Sequence, residues 1–306
     1  MKNKKLLIIF VVLLAIYAGV TLFGDKNESS FNDKIADFDT KSIDAIQIHP
    51  KDATKKDFSL QKDGDAWTIK TTNESYQADN SSVENALNSL NKIKIKNIIT
   101  KNPDKFAKYE LEDGKCKEVK VFSNKKKLLD LLLSKFKFNQ QARTASSYIR
   151  LAGKDEVYST DGFASMSISD NISAYRIKDL AKFDINDVNS IKYTDGDNIN
   201  KELTKQGKDW TKGNVIVDST KIAGYLSSMS SIKGSKFVEI DSGWQKPSSF
   251  DKLEFNLDDK TIIINAYPDT MISSGFIINS SINDKAYFDS DSTGLYKRIF
   301  GKFEEL

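Results

Sequence analysis

The phrases "GDAWT" (Gly64–Thr68) and "GKDWT" (Gly207–Thr211) hold two of the chain's three tryptophans. The residues downstream of each tryptophan decide the fold. After Trp67, Asp79 is succeeded by Val83, Leu87, Leu90, Ile93 and Ile98; after Trp210, Asp218 is succeeded by Ile222, Leu226, Met229, Ile232 and Phe237. Each pair is 139 residues apart, as 218 − 79 gives for the aspartates. Val83, Leu87 and Leu90 have helical spacing, and Ala86 and Ile93 widen the apolar stripe. Asp79 and Asp218 stand where a carboxylate can accept from the free N–H groups that open a helix.

The flanks repeat as well. Ile46 and Ile48 alternate in "IDAIQIHP", Ile191 and Tyr193 alternate in "VNSIKYTD", and a Gly-containing turn precedes each tryptophan. These stretches predict half-buried strands and hairpins. Beyond the helix, "EVKVF" pairs with "KLEFN", and "SYIRLAGKDEVYSTDGF" with "GFIINSSINDKAYFDSDSTGL". The chain is therefore expected to be α+β, with a tandem duplication over residues 41–170 and 186–306. Each repeat is an antiparallel sheet with a packed helix, and a connecting helix is expected over residues 171–185. The tryptophans are expected to be core anchors.

Ahead of the repeats, Lys2, Lys4 and Lys5 precede "LLIIFVVLLAIYAGVTLF", Leu6–Phe23, which carries no charge. A helix of that length spans roughly 27 Å, close to a hydrocarbon core. The lysines place residues 1–5 in the cytoplasm and the bulk of the chain outside that membrane, in the periplasm or its equivalent. The expectation is a single-pass signal anchor in the cytoplasmic (inner) membrane, joined to a polar tether over residues 24–40. A cleaved signal peptide is the alternative, but Ile16 sits where a small residue would precede a cut after Ala18.

Chemistry is sparse. With 306 residues, 39% hydrophobic and 29% charged, the chain can build packed cores. One Cys and one His cannot form an intrachain disulfide or a common zinc site. His49 faces away from Ile46 and Ile48. Cys116 lies between Lys115 and Lys117, which could lower its pKa. "DSDSTG", Asp289–Gly294, resembles the start of a calcium loop, but Phe300 stands where the closing Glu would be. No phosphate-binding glycine motif is present. No catalytic set, cofactor or metal is expected. Nucleic acid is not an expected partner either, since the aromatic motifs of RNA binders are missing.

Charge is uneven. Residues 41–170 hold 23 Lys and Arg against 18 Asp and Glu, while residues 186–306 hold 15 against 18. Residues 88–127 hold 12 basic and 5 acidic residues, so the excess concentrates there. Lys92, Lys94, Lys96, Lys125, Lys126 and Lys127 form a candidate docking patch for anionic headgroups, acidic glycans or an acidic partner. The same lysines could simply solvate loops and blunt a sheet edge.

The order of elements resembles the uncharacterised bacterial domain-of-unknown-function family 4340. The resemblance rests on "WTI" (Trp67–Ile69), the Asp79-led helix, "YEL" (Tyr109–Leu111) and "YIRLAGKDEVY" (Tyr148–Tyr158). Glu110 stands where the family usually has Gly, which implies a differently built turn. Members often accompany ABC transporters of the gliding-motility type. The resemblance implies a non-catalytic accessory of such a transporter or of an envelope-assembly machine. Its partners would be integral transporter subunits or envelope proteins. The alternatives are a binding module for envelope polysaccharide or another acidic ligand, and a hydrolase using two of the many carboxylates.

Overall fold

The structure, a computed structural model, describes residues 34–52, 54–141, 143–166, 168–240, 243–269 and 275–306. The expected anchor, Leu6–Phe23, lies outside the described residues. Among those described, no helix is long and apolar enough to cross a membrane.

The first repeat runs β1 (Ala45–His49), β2 (Phe58–Asp63), β3 (Ala66–Lys70), β4 (Ser75–Gln77), α1 (Asn80–Asn91) and β5 (Ile95–Thr100). It continues with the short α2 (Phe106–Tyr109), then β6 (Lys117–Ser123), β7 (Lys126–Leu133), β8 (Lys137–Asn139), β9 (Thr144–Leu151) and β10 (Val157–Asp161). The second runs β11 (Val188–Thr194), β12 (Asn200–Gln206), β13 (Asp209–Lys212), β14 (Val215–Val217), α3 (Ser219–Met229), β15 (Asp251–Leu257), β16 (Thr261–Pro268), β17 (Phe276–Ser280) and β18 (Asn283–Ser290). Strands dominate and every named pairing is antiparallel, as an α+β chain of hairpins requires.

Two compact units hold these elements. One comprises the chain through Asp63 with Ser81–Asn171; the other comprises Gly64–Asn80 with Ile172–Leu306. The first unit's sheet has the order β2-β1-β6-β7-β9-β10-β5, with β8 added to β9. The second unit's has the order β12-β11-β15-β16-β17-β18, continued on the other side by β13 and β14. The two sheets share this strand order. Where β5 lines β10 in the first unit, Phe237 bridges Phe288 of β18 in the second, and Val238 N–H donates to Tyr287 O.

The helices sit 139 residues apart, at Asn80 and Ser219. Val83, Ala86, Leu87 and Leu90 are the buried face of α1; Ile222, Tyr225, Leu226 and Met229 are that of α3. Asp218 caps α3, accepting from Thr220 N–H at 2.8 Å. Both tryptophans are buried, so the repeated phrase marks core anchors. Asn80 fixes the first of them: its side chain accepts from Trp67 N–H at 3.0 Å and donates to Asp65 O at 2.7 Å.

Two expectations are corrected. Residues 171–185 do not form a connecting helix; the 3-10 turn Ile172–Ala174 is followed by isolated bridges at Arg176 and Asp179, and a second 3-10 turn begins at Ile185. Their backbone bonds go to chain distant in sequence, which an isolated helix could not match. Tyr175 O accepts from Asp79 N–H, and Leu180 N–H donates to Ile232 O. The latter part of the expected tether also belongs to the first unit. Lys34 bridges Lys94, Ala36 is buried, and the Asn91 amide clasps both backbone groups of Phe38.

Candidate functional site

Strand β6 reads "KEVKVFS", and Val119 and Val121 are wholly buried. Side chains two apart share a face, so Lys117 starts on the apolar side. Its ammonium is partly withdrawn from water and donates to Ser165 O and Ile168 O, each at 2.5 Å. Burial lowers its pKa from 10.5 to about 8; Asp170 opposes the shift and Lys55 adds to it. The group is still mostly protonated at neutral pH, so it offers a positive charge rather than a nucleophile. An ammonium has three donors. Two are taken, and Lys117 lines a cleft of about 600 Å³ that the third can serve.

Three other lysines line this cleft, all in the first unit: Lys51, Lys55 and Lys135. The loop after β1 presents the first two and is shaped by Asp52, whose carboxylate accepts from Thr54 N–H at 3.0 Å and Thr54 Oγ1–H at 2.7 Å. Those bonds hold the Asp52 pKa below its usual value. The other acidic lining residue, Asp170, pairs with Lys55 at 2.7 Å. Four lysines thus face two carboxylates, both already engaged.

The 3-10 turn Ala164–Met166 supplies Ser165. Ser165 is 6% exposed, and its hydroxyl has no hydrogen-bond partner among the described residues. A buried hydroxyl without a partner costs on the order of 1 to 3 kcal/mol.

Lys51 also meets Glu110, at 2.7 Å. Glu110 closes α2 in a left-handed conformation, with φ 58° and ψ 41°. The N–H of Leu111 returns to Phe106 O and that of Glu110 to Ala107 O. This is the cap geometry that glycine adopts without steric cost, so the turn keeps glycine's conformation around a Glu. Lys51, first, and Lys137 lower the Glu110 pKa and hold its carboxylate.

The other sequence candidates fall elsewhere. Cys116 is buried, donates to Glu112 O, and its pKa is pushed up to about 11 by burial, which outweighs the opposing charges of Arg150 and Lys51. His49 is half-buried and contacts Asp57 at 2.7 Å. In "DSDSTG", Asp291 accepts from Thr293 and Gly294 to form a local turn, and Asp289 pairs with Lys236. Among the described residues, no group of three or more His, Cys, Asp or Glu is placed to hold a metal.

The basic patch divides. Lys92, Lys94, Lys96, Lys125, Lys126 and Lys127 are all exposed, but in two places. Ile95 is level with Ser147 through Thr160, beyond the end of β7 where Leu133 meets Ile149; Lys126 pairs with Ser123 at the opposite end. The seven residue-to-residue steps from Lys126 to Leu133 span roughly 23 Å. Lys127 is also paired with Asp130.

The "YIR" motif has a structural role. Arg150 is 2% exposed, stacks 4.1 Å from the Phe106 ring, and donates to Leu111 O and Asp113. It thereby ties β9 to the turn that carries Glu110.

Alternation along β6 is the one sequence signal that pointed to this cleft, since it puts a lysine in line with two buried valines. No curated protein and no solved structure matches the chain. The family described as Domain of unknown function (DUF4340) matches residues 67–253, which take in α1, β6, β9 and both tryptophans. That match covers more than half of the sequence, and the chain belongs to this family.

Proposed function

We propose that this protein is a non-catalytic, membrane-anchored accessory of an ABC-type transporter or envelope-assembly machine, and that its first unit binds an anionic ligand in the Lys117 cleft. One observation carries the binding role: the largely desolvated Lys117 ammonium shares one cleft with three further lysines, beside Ser165, whose hydroxyl has no partner among the described residues. Keeping a charge out of water costs stability unless something pairs with it, and an incoming anion supplies that pairing. The anchor and accessory roles are supported by Leu6–Phe23 behind its lysines, and by the family resemblance. An acidic envelope glycan is one form such a ligand could take. The split of the lysine runs 92–96 and 125–127 favours the cleft over the exposed patch.

The binding role is tested by titrating the full chain with inorganic phosphate, monitored by ³¹P NMR. Phosphate should bind, and Lys117→Met or Lys135→Gln should weaken it at least tenfold. No interaction at millimolar phosphate would sink this reading. Affinity purification from native membranes in mild detergent tests the accessory role. Recovery without any transporter or envelope component would refute it.

A further inference from the structure

The cleft has an apolar rim that anion binding alone does not explain. Phe136 and Met166 line it, and the Phe136 and Phe163 rings stand 6.1 Å apart. Phe163 and Met166 are 65% and 62% exposed, among the most exposed large apolar side chains described. They flank the buried Ser165, so a hydroxyl, an ammonium and an apolar shelf lie within a few residues of one another. Apolar groups gathered beside a cationic cleft mark a surface meant to be covered.

From this juxtaposition we infer that the cleft seats an anionic amphiphile: its phosphate or carboxylate headgroup meets Lys117 and Lys135, and its alkyl chain lies on Phe136, Phe163 and Met166. The inference rests on the anion-binding reading above and specifies its ligand. Charge complementarity chooses the headgroup: Lys51 pairs with Glu110 and Lys55 with Asp170, which leaves Lys135 and the third N–H of Lys117 as donors in the cleft. The same balance argues against a glycan. Sugar hydroxyls need acceptors as well as donors, and Asp52 and Asp170 are already occupied by Thr54 and Lys55. The rim also carries a thioether and phenyl rings, which suit methylene groups.

The test uses the full chain in nanodiscs of zwitterionic lipid and three probes: ethyl phosphate, dodecyl phosphate and dodecyltrimethylammonium. Hydrogen exchange over residues 133–138 and 163–170 reports occupancy. Dodecyl phosphate should protect both segments at a concentration at least tenfold below that of ethyl phosphate; covering roughly two methylene groups is enough for that ratio. Phe163→Ser combined with Met166→Ser changes exposed side chains only. It should remove the advantage of the long chain and leave ethyl phosphate unchanged. Lys135→Gln should weaken both phosphates, with Lys117→Met as the second variant. If ethyl phosphate protects and the dodecyl chain adds nothing, the amphiphile inference fails and the anion site stands. Protection by dodecyltrimethylammonium equal to that by dodecyl phosphate would also overturn it. If neither phosphate protects, both this inference and the binding reading beneath it fall.

Discussion

Lys117→Met removes the charge at the centre of the cleft while keeping an unbranched side chain of similar reach. Burial lowers the lysine from 10.5 to about 8. At 1.36 kcal/mol per pKa unit, that gap corresponds to about 3 kcal/mol. The folded pKa lies below the unfolded one, so between pH 8 and 10.5 the unfolded chain binds more protons and stability rises with pH. The Met variant has no such proton. The wild type should therefore gain on the variant by about 2 kcal/mol between pH 7 and pH 10. Below pH 7 the difference should be flat. The tyrosines titrate the opposite way: burial raises Tyr193, Tyr225 and Tyr296, so their stability is lost as pH climbs above 10. They cancel when the two proteins are subtracted. Urea denaturation of both at pH 7, 8, 9 and 10 gives the difference directly. A difference independent of pH across that range would mean that the Lys117 ammonium is solvated, and the electrostatic account of the cleft would be wrong.

Leu87→Ala and Leu226→Ala empty nearly sealed positions on α1 and α3 and should each cost about 2 to 5 kcal/mol in thermal or urea unfolding; a loss below about half a kcal/mol would show that the buried faces are misassigned. Glu110→Gly relieves a left-handed residue worth about 1 to 2 kcal/mol and loses a partly exposed pair worth up to about 1 kcal/mol. It should be at least as stable as the wild type, and Glu110→Ala less stable; the reverse ranking would refute the cap argument. Cys116 should resist thiol reagents at pH 8 in the folded protein and react once urea unfolds it. Rapid labelling of the native chain would contradict its burial. Lys92→Glu with Lys126→Glu should leave phosphate binding intact and shift stability by only tenths of a kcal/mol. Lost binding would return function to the exposed patch.

The α+β class, the strands and the helical faces were legible along the chain, because each depends on local periodicity. A period of two along Ile46 and Ile48 and a period of 3.6 along Val83, Leu87 and Leu90 report which side is buried, whatever lies against it. The core tryptophans were legible too, since a repeated large apolar residue in a repeated hairpin has few other uses. Local pattern failed where partners come from afar. Tyr175, Leu180 and Ala181 are buried, as a helix would bury them, but their backbone is satisfied by Asp79 and Ile232. The cleft needed the folded chain, which gathers Lys51, Lys55, Lys117, Lys135 and Ser165 in one place. In sequence order, the lysines form their densest runs at 92–96 and 125–127. The fold sends those runs to separate exposed sites and brings scattered single lysines together. Burial separates the two kinds of charge: an exposed lysine is screened by water, whereas Lys117 is largely withdrawn from it.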